Sequence, residues 1–193
     1  MNNLKILDRK NNGSMKWDLK YIQKRFGIST DDVYPMFIAD MDFACDSKIH
    51  SAISEYIKTM DFGYFNIQDR YYDSVIGWYK RIHKLEIDKD WIVPTIGTIA
   101  SIATLVHLFN DNKVLMLTPV YSGFGKCVSK EQSCFSDLVY KDGKYSINFL
   151  DLEEKLKSNE ISILLFCNPH NPSGKIWSLE DLSRVVQLCK KYD

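Results

Sequence analysis

One stretch constrains the fold more than any other. The apolar run Ile161-Ser162-Ile163-Leu164-Leu165-Phe166-Cys167 ends abruptly at Asn168-Pro169-His170-Asn171-Pro172-Ser173-Gly174-Lys175-Ile176-Trp177. Such a run reads as a strand buried on both faces, as in the middle of a parallel sheet. Two Asn-Pro pairs around one histidine, then Ser-Gly, make a turn that no strand or helix can continue. Ser178-Leu179-Glu180-Asp181 then carries a helix N-cap with an acid at the third helical position. Open α/β sheets bind ligands where strands end in loops at their carboxyl edge, so this loop is the first place to look for a site.

The rest of the composition narrows the class. The 193 residues are enough for one domain with a real core, 45% being hydrophobic. Twenty-five basic and 25 acidic side chains balance, which gives no electrostatic footprint for nucleic acid or an anionic membrane surface. No apolar run reaches membrane-spanning length, and the start Met1-Asn2-Asn3-Leu4-Lys5 lacks the pattern of a signal peptide. Cys45, Cys127, Cys134, Cys167 and Cys189 are odd in number and form no Cys-x-x-Cys pair, as expected of a cytoplasmic protein in a reducing interior.

Along the chain, the polar opening to about Asp32 includes an extended arm at Gly13–Asp18. Val33–Phe43 is expected to form a short strand ending in Asp40 and Asp42, acids that taken alone belong to a solvated turn. Asp46 caps a helix with Ile49, Ala52, Ile53, Tyr56, Ile57 and Met60 on one face. A second helix from about Gln68 carries Tyr72, Val75, Ile76, Tyr79 and Ile82, with His83 at its end. Trp91–Ser101 reads as strand, turn at Gly97 and helix, with Ile99, Ile102, Ala103, Val106 and Phe109 inward. A glycine at that junction exposes backbone N–H groups to an anion. Lys113–Leu117 is a buried strand leading to Tyr121; Cys134–Tyr140 is an edge strand; Asp142-Gly143 is a tight turn. Asn148 caps a helix burying Phe149, Leu152 and Leu156, and the last helix turns Leu179, Leu182, Val185, Val186 and Cys189 inward. Strands alternating with helices predict an α/β domain with a mainly parallel sheet. Lys190-Lys191-Tyr192-Asp193 follows a helix whose natural successor is another strand, so the domain is expected to be incomplete.

At Asn168–Lys175 the sequence resembles the fold-type I pyridoxal-phosphate enzymes, aminotransferase class I/II. Lys16-Trp17-Asp18, Ala39-Asp40-Met41-Asp42-Phe43, Phe62-Gly63-Tyr64, Pro119-Val120-Tyr121 with Phe124, and Cys167 through Trp177 narrow the resemblance to the MalY/PatB branch of cystathionine β-lyase-like C–S lyases. The motifs fall in the family's order across nearly the whole chain. The resemblance implies the aspartate aminotransferase-like fold: an N-terminal arm and substrate-entrance segment over residues 1–45, and a truncated cofactor-binding large domain over 46–193. It implies that pyridoxal 5′-phosphate is held by Gly97, Thr98 and Ile99 at its phosphate, by Tyr121 against its ring and by Asn171 at its phenolic oxygen, with a cis bond between Asn171 and Pro172. Tyr64 would reach the phosphate of the neighbouring subunit in a homodimer. Ala39, Asp40 and Asn171 would border a sulfur-containing amino-acid substrate.

Departures accompany the match. Thr95-Ile96-Gly97-Thr98 stands where the family more usually has Pro before the Gly and Val after it, Phe65 replaces Thr, and Ser173 replaces Thr. The family's ring-nitrogen aspartate, Schiff-base lysine and carboxylate-binding arginine are all expected beyond Asp193, so no catalytic residue is assigned within the chain. Three functions follow as expectations: the N-terminal part of a C–S β-lyase releasing thiol, pyruvate and ammonia; the same part of a class I/II aminotransferase; or a non-catalytic fragment. His170 is read as ordering the loop, and His50 and His107 as structural or exposed.

Overall fold

The computed structural model describes residues 4–109, 113–158 and 160–192. The polar start at Met1–Asn3 and the final Asp193 lie outside them. The described residues divide into two compact units between Gln68 and Asp69.

The first unit is built by the chain's opening folding back on a later turn. Ile6 and Phe43 form an antiparallel bridge, flanked by the Leu7 N–H on Asp42 O (2.9 Å) and the Ala44 N–H on Lys5 O (2.8 Å). The arm expected to be extended at Gly13–Asp18 instead winds into a 3₁₀ turn, Met15–Trp17, and the following α1, Leu19–Phe26, was not legible in the sequence pattern. Local chemistry explains α1: the Asp18 carboxylate caps the Tyr21 N–H, and Gly27 ends the helix at φ 64°. Its Ile22 is buried, while Phe26 packs edge-on to Phe37 with ring centroids 5.1 Å apart. Val33–Phe43 forms no strand beyond the Phe43 bridge; near its end the Lys16 and Arg9 side chains take the Asp40 and Met41 carbonyls. Asp46 caps α2, Ser47–Ile57, as expected, but its apolar stripe of Ile49, Ile53, Tyr56 and Ile57 lies exposed.

In the second unit, α3, Asp69–Trp78, runs on through a π turn at Tyr79–His83 that Lys84 closes with a left-handed backbone. The expected strand at Trp91 is absent among the described residues: a 3₁₀ turn, Lys89–Trp91, leads into extended backbone with no partner strand. Pro94 there lacks the N–H a ladder would need. α4, Thr98–Leu108, follows. Next come β1, Lys113–Thr118; a 3₁₀ turn, Ser122–Lys126; β2, Ser133–Asp137; and the hairpin of β3, Val139–Lys141, with β4, Lys144–Ser146. Asp142 and Gly143 both take positive φ (51° and 73°), the pair that a two-residue hairpin turn requires. The expected edge strand at Cys134–Tyr140 is thus split, because Leu138 leaves β2 to enter the core and donates its N–H to Thr118 O at 2.7 Å. α5, Phe149–Leu156, is capped by Asn148; β5, Ile161–Leu165, and α6, Leu179–Lys191, complete the unit.

β1 is the middle strand of a parallel sheet ordered β2-β1-β5. The sequence reads β5 as central in the intact domain, with an edge left exposed where neighbouring strands are missing, and among the described residues β5 is such an edge. With a neighbour on one side only, β5 is half-buried and Ser162 exposed, whereas Val114, Leu115, Met116 and Leu117 of β1 are all buried. Alternation along β1 feeds two cores. Leu115 and Leu117 pack with Leu152 and Leu156 of α5 and Val185 and Leu188 of α6; Val114 and Met116 pack with Val106 of α4 and Phe124. The α6 stripe is rotated from the expectation: Leu188 is buried, while Leu179 and Val186 face solvent. Ser178 and Asp181 form the complete capping box that starts this helix.

Candidate functional site

Three segments of the second unit converge through one apolar cluster. Met116 pairs with Leu165 in the parallel ladder, so the loops after β1 and β5 leave the same sheet edge. The Tyr121 loop follows β1, and the Asn168–Lys175 loop follows β5. The cluster around Val114 and Met116 includes Ile99 from the first turn of α4, Phe124 and Cys127 beside Tyr121, and Cys167 just before Asn168. Cys127 Sγ approaches Ile99 O at 3.5 Å, tying the start of α4 to the Tyr121 turn.

Gly97 precedes α4 with φ 144° and ψ 156°, a backbone that side chains rarely permit, and a Cβ there would meet nothing within 4 Å. The first i→i−4 bond of α4 runs from the Ser101 N–H to Gly97 O at 3.1 Å. The N–H groups of Thr98, Ile99 and Ala100 therefore have no partner within the helix and sit at its positive end. Thr95 Oγ1 and Ser101 Oγ lie 2.8 Å apart and brace the turn.

The Tyr121 ring lies over Gly123, where a Cβ would come within 2.6 Å of Cζ, and packs edge-on to Phe124 at 5.7 Å. It is held in place yet 40% exposed. The sequence had singled out Tyr121 but not the glycine beneath it.

His170 organises the last loop. It is 2% exposed; its N–H donates to Lys175 O and its carbonyl accepts from the Gly174 N–H, both at 2.7 Å. Nδ1 lies 2.8 Å from Ser173 Oγ, and the ring meets Trp177 edge-on at 5.6 Å. Trp177 Nε1 in turn donates to Cys167 O at 3.0 Å. The bonds before Pro169 and Pro172 are both cis, as is that before Pro119. Asn171 sits at the exposed outer corner; its N–H donates to Cys167 Sγ at 3.4 Å. The loop thus buries its histidine and presents its asparagine.

The remaining sequence-selected residues belong to the first unit. Tyr64 is fully exposed. Ala39 and Asp40 line a cavity of about 630 Å³ with Tyr34, Met36 and Ile38. Asp40 and Asp42 are not free acids of a solvated turn. Arg9 Nη2 lies 2.6 Å from Asp40 Oδ2, and Lys16 Nζ 2.7 Å from Asp42 Oδ2. The Arg9 hydrogen bond holds the Asp40 carboxyl below its ordinary range; those from Lys16 and then Trp17 do the same for Asp42. Pattern reading missed Arg9 altogether: opposite charges 31 residues apart carry no local signal. Among the described residues, no group of His, Cys, Asp or Glu could hold a metal ion, and no helix is long and apolar enough to cross a membrane.

The chain is similar to known proteins over nearly its whole length. Cystathionine beta-lyase PatB of Bacillus subtilis is 34% identical over the whole chain, and protein MalY of Escherichia coli is 29% identical over 97% of it. Cystalysin of Treponema denticola, whose crystal structure contains a pyridoxal 5′-phosphate cofactor, superposes with a TM-score of 0.86 at 33% identity, covering 97% of this chain and 48% of that one. The chain spans about half the length of the curated relatives it matches, 50% of PatB and 48% of MalY. The model of the family described as Aminotransferase class I and II matches residues 40–193, and the chain belongs to that family.

Proposed function

We propose that this chain supplies one wall of a pyridoxal 5′-phosphate site in a C–S β-lyase of the cystathionine β-lyase type. The observation that carries the reading is the convergence, through one apolar cluster, of an anion-ready helix start, an open aromatic ring and an outward asparagine. The residues fit a phosphorylated pyridine. The N–H groups of Thr98 and Ile99 would take the phosphate beside Gly97, where the missing side chain leaves open space. Tyr121 would lie against the ring, and the Asn171 amide would donate to the phenolic oxygen. When bound, the cofactor supplies an electron sink for chemistry at an amino acid's α-carbon.

This chain's own share of that chemistry is to bind and orient. The residues of 1–45 would serve as arm and substrate entrance, with Ala39 and Asp40 at its border, and those of 46–193 as the cofactor-binding portion. Tyr64, fully exposed, is available to a second subunit of a homodimer. The lysine, aspartate and arginine that would complete the chemistry have no counterpart at motif positions here; we place them outside residues 1–193. A sulfur-containing amino acid is the substrate class, following the relatives named as cystathionine β-lyases.

The test is to add pyridoxal 5′-phosphate to the 193-residue chain, reduce with borohydride and map adducts by mass spectrometry. The expected result is no stoichiometric adduct at any lysine; a single fully modified lysine would overturn the placement of the lysine elsewhere. Transamination is the second reading, favoured by the family's own description. A polypeptide that carries the missing groups separates the two: pyruvate formed from cystathionine without an amino acceptor excludes transamination.

A further inference from the structure

Side chains from far earlier in the sequence hold the polar groups of the Asp40–Asp42 turn. Arg9 Nη2 donates to Asp40 Oδ2 at 2.6 Å, and Arg9 Nη1 to Met41 O at 2.8 Å. Lys16 Nζ donates to Asp40 O at 2.8 Å and to Asp42 Oδ2 at 2.7 Å. Trp17 Nε1 donates to the other Asp42 oxygen, also at 2.7 Å. Lys16 is only 8% exposed, and an ammonium withdrawn that far from water requires partners. Its two acceptors come from opposite ends of the turn, so the buried charge specifies the turn's shape. The Asp42 carbonyl and the Ala44 N–H are then held by Leu7 and Lys5.

We propose that Arg9, Lys16 and Trp17 are positioning residues that set the Ala39–Asp42 turn, and that the Asp40 carboxylate belongs to this clamp rather than to a substrate. Two cations face two carboxylates, so the turn offers a ligand no unpaired charge. The adjoining cavity is lined by Ala39, Tyr34, Met36 and Ile38 together with the paired Lys16, Asp40 and Asp42. The substrate part of this inference rests on the entrance assignment under Proposed function; the clamp itself does not.

Amide hydrogen exchange on the 193-residue chain tests the clamp. Lys16→Met should accelerate exchange at Leu7 and Ala44 tenfold or more while β1 amides keep wild-type protection, and Lys16→Arg should restore most of it. Unchanged protection at Leu7 and Ala44 overturns the proposal. If Lys16→Met does not fold, Arg9→Gln, which leaves Lys16 paired, is read by the same criterion. L-cystathionine is then titrated against wild type and Arg9→Gln, following the Ala39 and Asp40 amides. Shifts in wild type that weaken severalfold in Arg9→Gln support positioning; equal shifts in both sink it. An absence of shifts in wild type removes the entrance assignment and leaves the clamp judged on exchange.

Discussion

Gly123 and His170 show how single residues set what the site exposes. The Tyr121 ring rests where a Gly123 side chain would stand, so the ring's orientation depends on an atom that is absent. Gly123→Ala should lower stability by about 1–3 kcal/mol, because the new methyl overlaps the Tyr121 ring and costs its packing on Phe124. The ring must swing away. Faster nitration of Tyr121 by tetranitromethane, with weaker pyridoxal 5′-phosphate binding, is the expected outcome; wild-type nitration would show that the ring is held by Phe124 alone. The sequence marks His170 as a loop-ordering residue, and the structure gives that role its contacts: Ser173, Trp177 and the Lys175 carbonyl. Asn171 is singled out by the family resemblance, and only the structure shows that it is exposed beside a buried histidine.

At the scale of elements, β1 and α6 decide where the core sits. β1 has a parallel neighbour on each side and helices on each face, and Leu115 at its centre is fully buried. Leu115→Ala should cost about 2–5 kcal/mol, the range for emptying a well-packed leucine site. Leu179→Ala should fall within about 0.5 kcal/mol of wild type, since Leu179 is exposed despite its place in the apparent stripe of α6. Urea unfolding of both variants checks the pair, and comparable losses would contradict the helix rotation seen here. Helix starts were legible because caps are local: Asp46, Asn148 and Ser178 each accept the N–H that their spacing predicts. Strand order within this chain was less legible. The run at Ile161 is as apolar as that of β1, and only the pairing makes one central and the other an edge.

For the whole chain, acidity is the condition that reaches both units. Arg9 and Lys16 hold Asp40 and Asp42 below their ordinary range in the first unit. In the second, Lys191 and Tyr192 hold Glu153 down to about 2 from an ordinary 4.5. Each carboxyl binds its proton more weakly when folded than when unfolded. The stability these groups contribute is therefore complete above the ordinary carboxylate range and is lost as pH falls through the folded value. For Glu153 that window runs from 4.5 down to about 2. Thermal unfolding followed by circular dichroism should show the melting temperature falling across this window, and Glu153→Gln should flatten the fall. All these groups keep solvent contact, so added salt should reduce the effect; a pH profile identical in Glu153→Gln would remove the group from the account.

Sequence alone determined the alternation of strands and helices, the capped helix starts, the Asp142-Gly143 turn and the identity of the loop at Asn168–Lys175. These depend on side-chain period, on φ preference and on hydrogen bonds spanning a few residues, all of which are written locally. Tertiary structure decided that β1 lies between β2 and β5, that Asp40–Asp42 is a side-chain-clamped turn, and that Arg9 and Lys16 are its partners. It also decided that one apolar cluster gathers the start of α4 and the loops after β1 and β5. Each of these turns on which distant segments meet, and a charge or an apolar run does not name its partner until the chain has packed.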